Sequence, residues 1–153
     1  MTDIVLGAAI GGLVAFLVAL PAVALEVIER GKAGLLFSSE VSGLFGRKFN
    51  RYETFVAALL LHTILGTVFG SVYIVFVERG WLFVTNAPFS IGSLLVYAVG
   101  TWAVLGFTMF PLLGMGLFGI KEGRRVWMEM LASQLLIGLG VWLAVQWFQP
   151  VFF

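Results

Sequence analysis

The chain has 153 residues, of which 61% are hydrophobic and 11% are charged, and its mean hydropathy is +1.07. A soluble domain of this length cannot bury so much apolar surface, so the composition excludes a water-soluble globular protein and predicts an integral membrane protein. The chain has no cysteine, which excludes disulfides, thiolate metal sites and covalent haem attachment, and its net charge of +1 gives no indication of a nucleic-acid partner.

Four charge-poor stretches are long enough to cross a bilayer, because about 20 apolar residues in a helix span the hydrocarbon core. They predict an all-α, four-helix bundle that forms one membrane domain over residues 1–153, with spans at about 4–28, 54–78, 90–118 and 126–148. The third stretch is longer than one crossing requires. The turn signal at Asn86–Pro88 lies too near its beginning to divide it into two spans, so we expect one long, tilted helix there.

The basic residues predict the orientation of the spans. Lysine and arginine concentrate in the first and third loops, and Arg79 is the exception in the second loop. The first loop holds Arg30, Lys32, Arg47, Lys48 and Arg51, and the third holds Lys121, Arg124 and Arg125. The positive-inside rule then places these two loops in the cytoplasm and both termini outside. The expected location is the cytoplasmic membrane of a bacterium or an archaeon.

The first loop carries an amphipathic pattern. Apolar residues recur at helical spacing from Phe37 to Tyr52, with basic residues between them. This pattern predicts a helix lying on the cytoplasmic leaflet, and the alternative is an irregular cap over the bundle. Contacts with lipid phosphates are expected from the basic residues of both cytoplasmic loops, namely Arg47, Lys48, Arg51, Lys121, Arg124 and Arg125.

Small residues at four-residue spacing mark expected helix contacts. Gly7 and Gly11 lie in the first span, and Gly66 and Gly70 lie in the second. Such spacing lets two backbones approach closely within lipid. Packing inside the bundle is the expected use of these glycines, and contact with another subunit is the alternative.

Four polar residues form the candidate site: His62, Tyr97, Gln134 and Glu129. An ionisable group deep in a span is a functional candidate, and His62 is the single histidine of the chain. It could bond across helices to Tyr97, Thr101, Gln134 or a carbonyl, handle a proton or substrate, or ligate a pigment. No cofactor and no metal are predicted, and pigment ligation by His62 is kept as the alternative.

Glu129 could form the mouth of a cation path together with Glu26 and Glu53. The alternative is an interfacial cluster of ion pairs with neighbouring arginines. A weak internal repeat is also suggested, because His62 and Gly66 have the same spacing as Gln134 and Gly138.

No catalytic motif appears in the sequence, so we expect a protein that is not an enzyme. The predicted function is that of an accessory or scaffolding subunit of a larger respiratory, photosynthetic or transport complex, with membrane lipids and other integral membrane subunits as its partners. The alternative is a small oligomeric transporter or channel that uses its mid-membrane polar residues. A membrane enzyme acting on lipid has only the basic cytoplasmic face in its favour.

Overall fold

The computed structural model describes residues 2–29, 51–81, 87–112, 114–121 and 123–152. Over these ranges the chain is helical and contains no strand. Four of its helices are long and apolar enough to cross a membrane, at Asp3–Pro21, Phe55–Glu78, Ile91–Leu112 and Val126–Trp147. Over the described residues, the prediction of an all-helical chain with four helices long and apolar enough to span a membrane is therefore confirmed. The predicted interfacial helix covers residues 37–52, and its residues 37–50 lie outside the described ranges.

The long helices are α1 (Thr2–Glu29), α2 (Arg51–Glu78), α3 (Ile91–Phe107) and α5 (Val126–Phe152), and the short helix α4 (Met109–Leu112) continues the third span. Local chemistry sets two of these ends. Gly80, at φ +64°, terminates α2 because its N–H and that of Trp81 bond back to the carbonyls of Val77 and Phe76. Ser90 caps the start of α3 by accepting a hydrogen bond from the Ser93 N–H at 3.2 Å.

The third span is shorter than predicted. The expectation of one helix to residue 118 is wrong, because α3 ends at Phe107 and α4 ends at Leu112. Gly114, Gly116 and Gly119 then adopt positive φ, as does Phe118 at φ 51°. A 3-10 turn, Leu117–Gly119, brings the ring of Phe118 against Gly106 of α3. Glycine at these positions lets the chain fold back, which an uninterrupted helix could not do.

The spans pack as two hairpins. Helix α1 packs along α2, α3 packs along α5, and α1 joins the pairs by packing against α5. The last contact is close, because a Cβ atom on Gly140 would lie 2.5 Å from a methyl carbon of Val14. Helices α2 and α3 are neighbours in the chain, yet their backbones barely approach each other. The bundle is therefore open between its second and third spans.

Candidate functional site

The four predicted packing glycines lie together at the contact between α1 and α2. A Cβ atom on Gly11 would lie 2.2 Å from the Gly66 carbonyl oxygen, and one on Gly70 would lie 2.0 Å from the Gly7 carbonyl oxygen. Ala15, which is fully buried in α1, packs against the same face of Gly66, because a Cβ atom on Gly66 would lie 2.1 Å from the Ala15 Cβ atom. The two helices thus touch backbone to backbone, which leaves no room for a solute between them.

Three serine and threonine hydroxyl groups of α2 bond to their own helix. Thr63 donates to the Leu59 carbonyl at 2.8 Å, Thr67 to that of Thr63 at 2.9 Å and Ser71 to that of Thr67 at 2.8 Å. Thr101 in α3 does the same with the carbonyl of Tyr97 at 3.0 Å. These side chains satisfy their hydrogen-bonding capacity locally, as serine and threonine commonly do in apolar helices.

An aromatic cluster bridges the gap between α2 and α3. The ring of Tyr97 in α3 contacts those of Phe69, Tyr73 and Phe76 in α2, with centroids 4.7, 5.0 and 5.5 Å apart. The Tyr97 hydroxyl donates to the Phe69 carbonyl at 2.9 Å, and the Tyr73 hydroxyl donates to the Pro88 carbonyl. Edge-to-face rings and the buried hydrogen bond from Tyr97 therefore connect spans whose backbones do not pack together, and the bond from Tyr73 ties α2 to the residues just before α3.

A cavity of about 530 Å³ lies beside this cluster, between α2 and α3. Its walls are mostly apolar and include Leu65, Val68 and Val72 from α2 and Val96 and Val104 from α3. Gly100 opens the α3 wall, since a Cβ atom there would have no neighbour within 4 Å. Trp81 lies at the end nearest the second loop, and Gln134 enters the lining from α5.

Gln134 is a polar residue of this lining, and one of its hydrogen-bonding atoms lacks a partner in the described part of the chain. Its side-chain oxygen, Oε1, is buried and has no hydrogen-bond partner in the described part of the chain. The other polar atoms that line the cavity differ in this respect, because the hydroxyls of Ser93, Tyr97 and Thr101 all bond to backbone carbonyls. A buried acceptor without a donor is costly, and each native instance calls for an explanation.

Two of the four candidate polar residues line this cavity. Tyr97 and Gln134 share its lining, and His62 and Glu129 are not part of it. His62 lies half-buried in α2, where Nδ1 donates to the Ala58 carbonyl at 3.0 Å, four residues earlier on the same helix. This bond stays within α2, so it does not test the predicted bond from His62 across helices. Glu129 is exposed in the first turn of α5.

The basic residues of the third loop are exposed. Lys121, Arg124 and Arg125 all have solvent-accessible side chains, as contact with lipid phosphates requires. Arg51 begins α2, and Arg47 and Lys48 lie outside the described residues. Among the residues that the structure describes, no group of three His, Cys, Asp or Glu side chains could hold a metal ion.

Sequence reasoning missed the aromatic bridge and the cavity. A signal for the bridge was present, because Phe69, Tyr73 and Phe76 recur at the three- and four-residue spacing of one helix face. The cavity had no comparable signal, since it depends on two consecutive spans that do not pack against each other.

The chain matches no protein-family model, no curated protein and no solved structure.

Proposed function

We propose that this chain is a non-catalytic accessory or scaffolding subunit of a larger membrane complex, acting through contacts with other membrane chains. The observation that supports this proposal is the use of the intramembrane hydroxyls: Thr63, Thr67, Ser71, Tyr97 and Thr101 all bond to the chain's own backbone. A solute path needs polar groups that face the solute, whereas these groups stabilise the fold.

The transporter alternative receives less support from the geometry. The contact between α1 and α2 is closed by glycine packing, and the cavity between α2 and α3 is lined mostly by apolar side chains. His62 and Glu129, which a polar path would need, lie outside that lining. A path built by several copies of the chain would have to use other surfaces.

The outer surface offers apolar contact area for lipid and for partner helices. On α2, Leu60 and Ile64 follow each other at four-residue spacing and are each 58% exposed. These residues lie on a different face of α2 from Gly66 and Gly70, which pack against α1. We propose that part of such a surface contacts other subunits, with both termini outside and the basic first and third loops in the cytoplasm.

Photo-crosslinking in the native membrane tests this proposal. A photoreactive amino acid is placed at one exposed position on each span: Leu17, Leu60, Val99 and Leu136. A partner-facing position should give a discrete product with another integral membrane protein, and lipid-facing positions serve as controls in the same chain. Products that contain only lipid or only copies of this chain at all four positions would contradict the subunit proposal.

A further inference from the structure

We propose that the cavity between α2 and α3 binds a neutral, membrane-dissolved molecule that has a hydrocarbon body and one hydroxyl group, and that Gln134 recognises the hydroxyl. This inference goes beyond the proposed subunit function and does not rest on it. Its starting point is the combination of an apolar cavity of about 530 Å³ with a buried acceptor, Gln134 Oε1, that has no partner in the described part of the chain.

The size and shape of the cavity favour a small molecule over a partner helix. Ligand sites typically measure about 300–1,000 Å³, which brackets this cavity. A transmembrane helix with its side chains is about 10–12 Å wide, and the Tyr97 bridge to Phe69 and Tyr73 holds α2 and α3 together beside the cavity. A flexible hydrocarbon chain is thinner than a helix and could lie along Val96, Gly100 and Val104.

The chemistry of the lining defines the ligand's polar group. None of the described residues that line the cavity is charged, so an ionic group would lie there without a counter-charge from them, at high cost in lipid. Gln134 offers an amide, and a hydroxyl can both donate to Oε1 and accept from Nε2. Oε1 is buried in the structure, so binding of the hydroxyl requires the Gln134 side chain to rotate and turn this oxygen toward the cavity.

The depth of Gln134 separates this ligand from ordinary phospholipids. Gln134 lies in the interior of the Val126–Trp147 span, more than two helical turns from its start. Phospholipid headgroups stay at the interface, so their donors do not reach this depth. An amphiphile with a small uncharged head group can place its hydroxyl there.

The test uses the full-length protein in phosphatidylcholine liposomes and a photoreactive 16-carbon alcohol as probe. Labelled residues are mapped by mass spectrometry, and unlabelled hexadecan-1-ol competes against its methyl ether, which cannot donate a hydrogen bond. We expect labels on Leu65, Val96 and Val104, and we expect the alcohol to compete about three- to eighteenfold better than the ether, the range for one intramembrane hydrogen bond.

Two variants and one control test whether Gln134 and the cavity cause the labelling and the preference for the alcohol. Gln134→Leu should abolish the preference for the alcohol, and Gly100→Leu should fill the cavity and abolish labelling while keeping Gln134. Gln146→Leu is the matched control, because Gln146 lies on the same helix outside the cavity and donates to the Phe89 carbonyl at 3.4 Å. It should leave both labelling and preference unchanged.

Equal competition by alcohol and ether in the wild-type protein would overturn the proposal, and this comparison stands even if Gln134→Leu fails to fold. Labels spread over outward positions such as Leu13 and Leu17, as bulk lipid would give, would also overturn it. So would crosslinks in the cavity to a second protein or a second copy of this chain.

Discussion

Gly11 and Gly66 pack so closely that a methyl group on Gly11 would lie 2.2 Å from the Gly66 carbonyl oxygen. Hydrophobic burial provides little driving force between helices in lipid, so such close contact is the main source of attraction. The pairing of α1 with α2 therefore depends on the absence of side chains at these two positions.

Gly11→Ala should destabilise the bundle by about 1–3 kcal/mol, because the added methyl group meets backbone atoms that cannot move aside. The measurement is the free energy of unfolding in mixed micelles. Gly100→Ala is the matched control, since its methyl group would have no neighbour within 4 Å and alanine is the better helix former. Equal losses in the two variants would show that the α1–α2 contact is not the close one described.

Tyr97→Phe should lower the free energy of unfolding by about 0.6–1.7 kcal/mol. The substitution removes the hydrogen bond to the Phe69 carbonyl and keeps the ring among its neighbours on α2. Tyr52→Phe provides the control, because Tyr52 is 76% exposed. An unchanged unfolding free energy for Tyr97→Phe would mean that this hydroxyl does not hold α2 and α3 together.

His62→Leu should lower the free energy of unfolding by about 0.6–1.7 kcal/mol, the range for intramembrane hydrogen bonds. The substitution removes the bond from Nδ1 to the Ala58 carbonyl. The check is the same unfolding measurement together with the visible absorption spectrum. A pigment band that disappears in this variant would instead support the pigment-binding alternative.

The proposed orientation is tested by single cysteines at Ser39 and Asn86, in a chain that has no cysteine of its own. Loop one should be cytoplasmic and loop two external, because lysine and arginine concentrate in loops one and three. A membrane-impermeant thiol reagent added outside should label the cysteine at Asn86 and leave that at Ser39 unlabelled. Labelling of both from outside would refute the orientation.

The spans could be predicted from the sequence because a bilayer imposes one strong requirement, a long apolar helix. The glycines at positions 7, 11, 66 and 70 could be chosen as contact residues for a related reason, since close backbone approach requires small side chains at regular spacing. Both patterns lie within single stretches of the sequence, so they can be recognised without knowing which helices are neighbours.

The end of the third span could not be predicted in the same way. The stretch to Phe118 stays apolar, so hydropathy gives no sign that the helix ends at Phe107. The break depends on glycines at positive φ and on the ring of Phe118 folding back onto Gly106. An apolar stretch can form either a helix or a turn in which the chain reverses direction.

The grouping of polar residues is limited for a different reason. His62, Tyr97, Gln134 and Glu129 share polarity in the sequence, whereas helix order and rotation decide which side chains line the cavity. Tyr97 and Gln134 share a cavity through the packing of α3 along α5, whereas Glu129 lies exposed one turn into α5. Neither relationship can be read from spacing along one helix.

Purification of the chain from its native membrane in mild detergent tests the proposed function most directly. We expect it to co-migrate with larger, unrelated integral membrane subunits, and we expect the isolated chain in liposomes to produce no solute flux. Purification as a homo-oligomer without other subunits, with solute flux that a substitution at His62 or Glu129 abolishes, would contradict the subunit proposal and establish the transporter alternative.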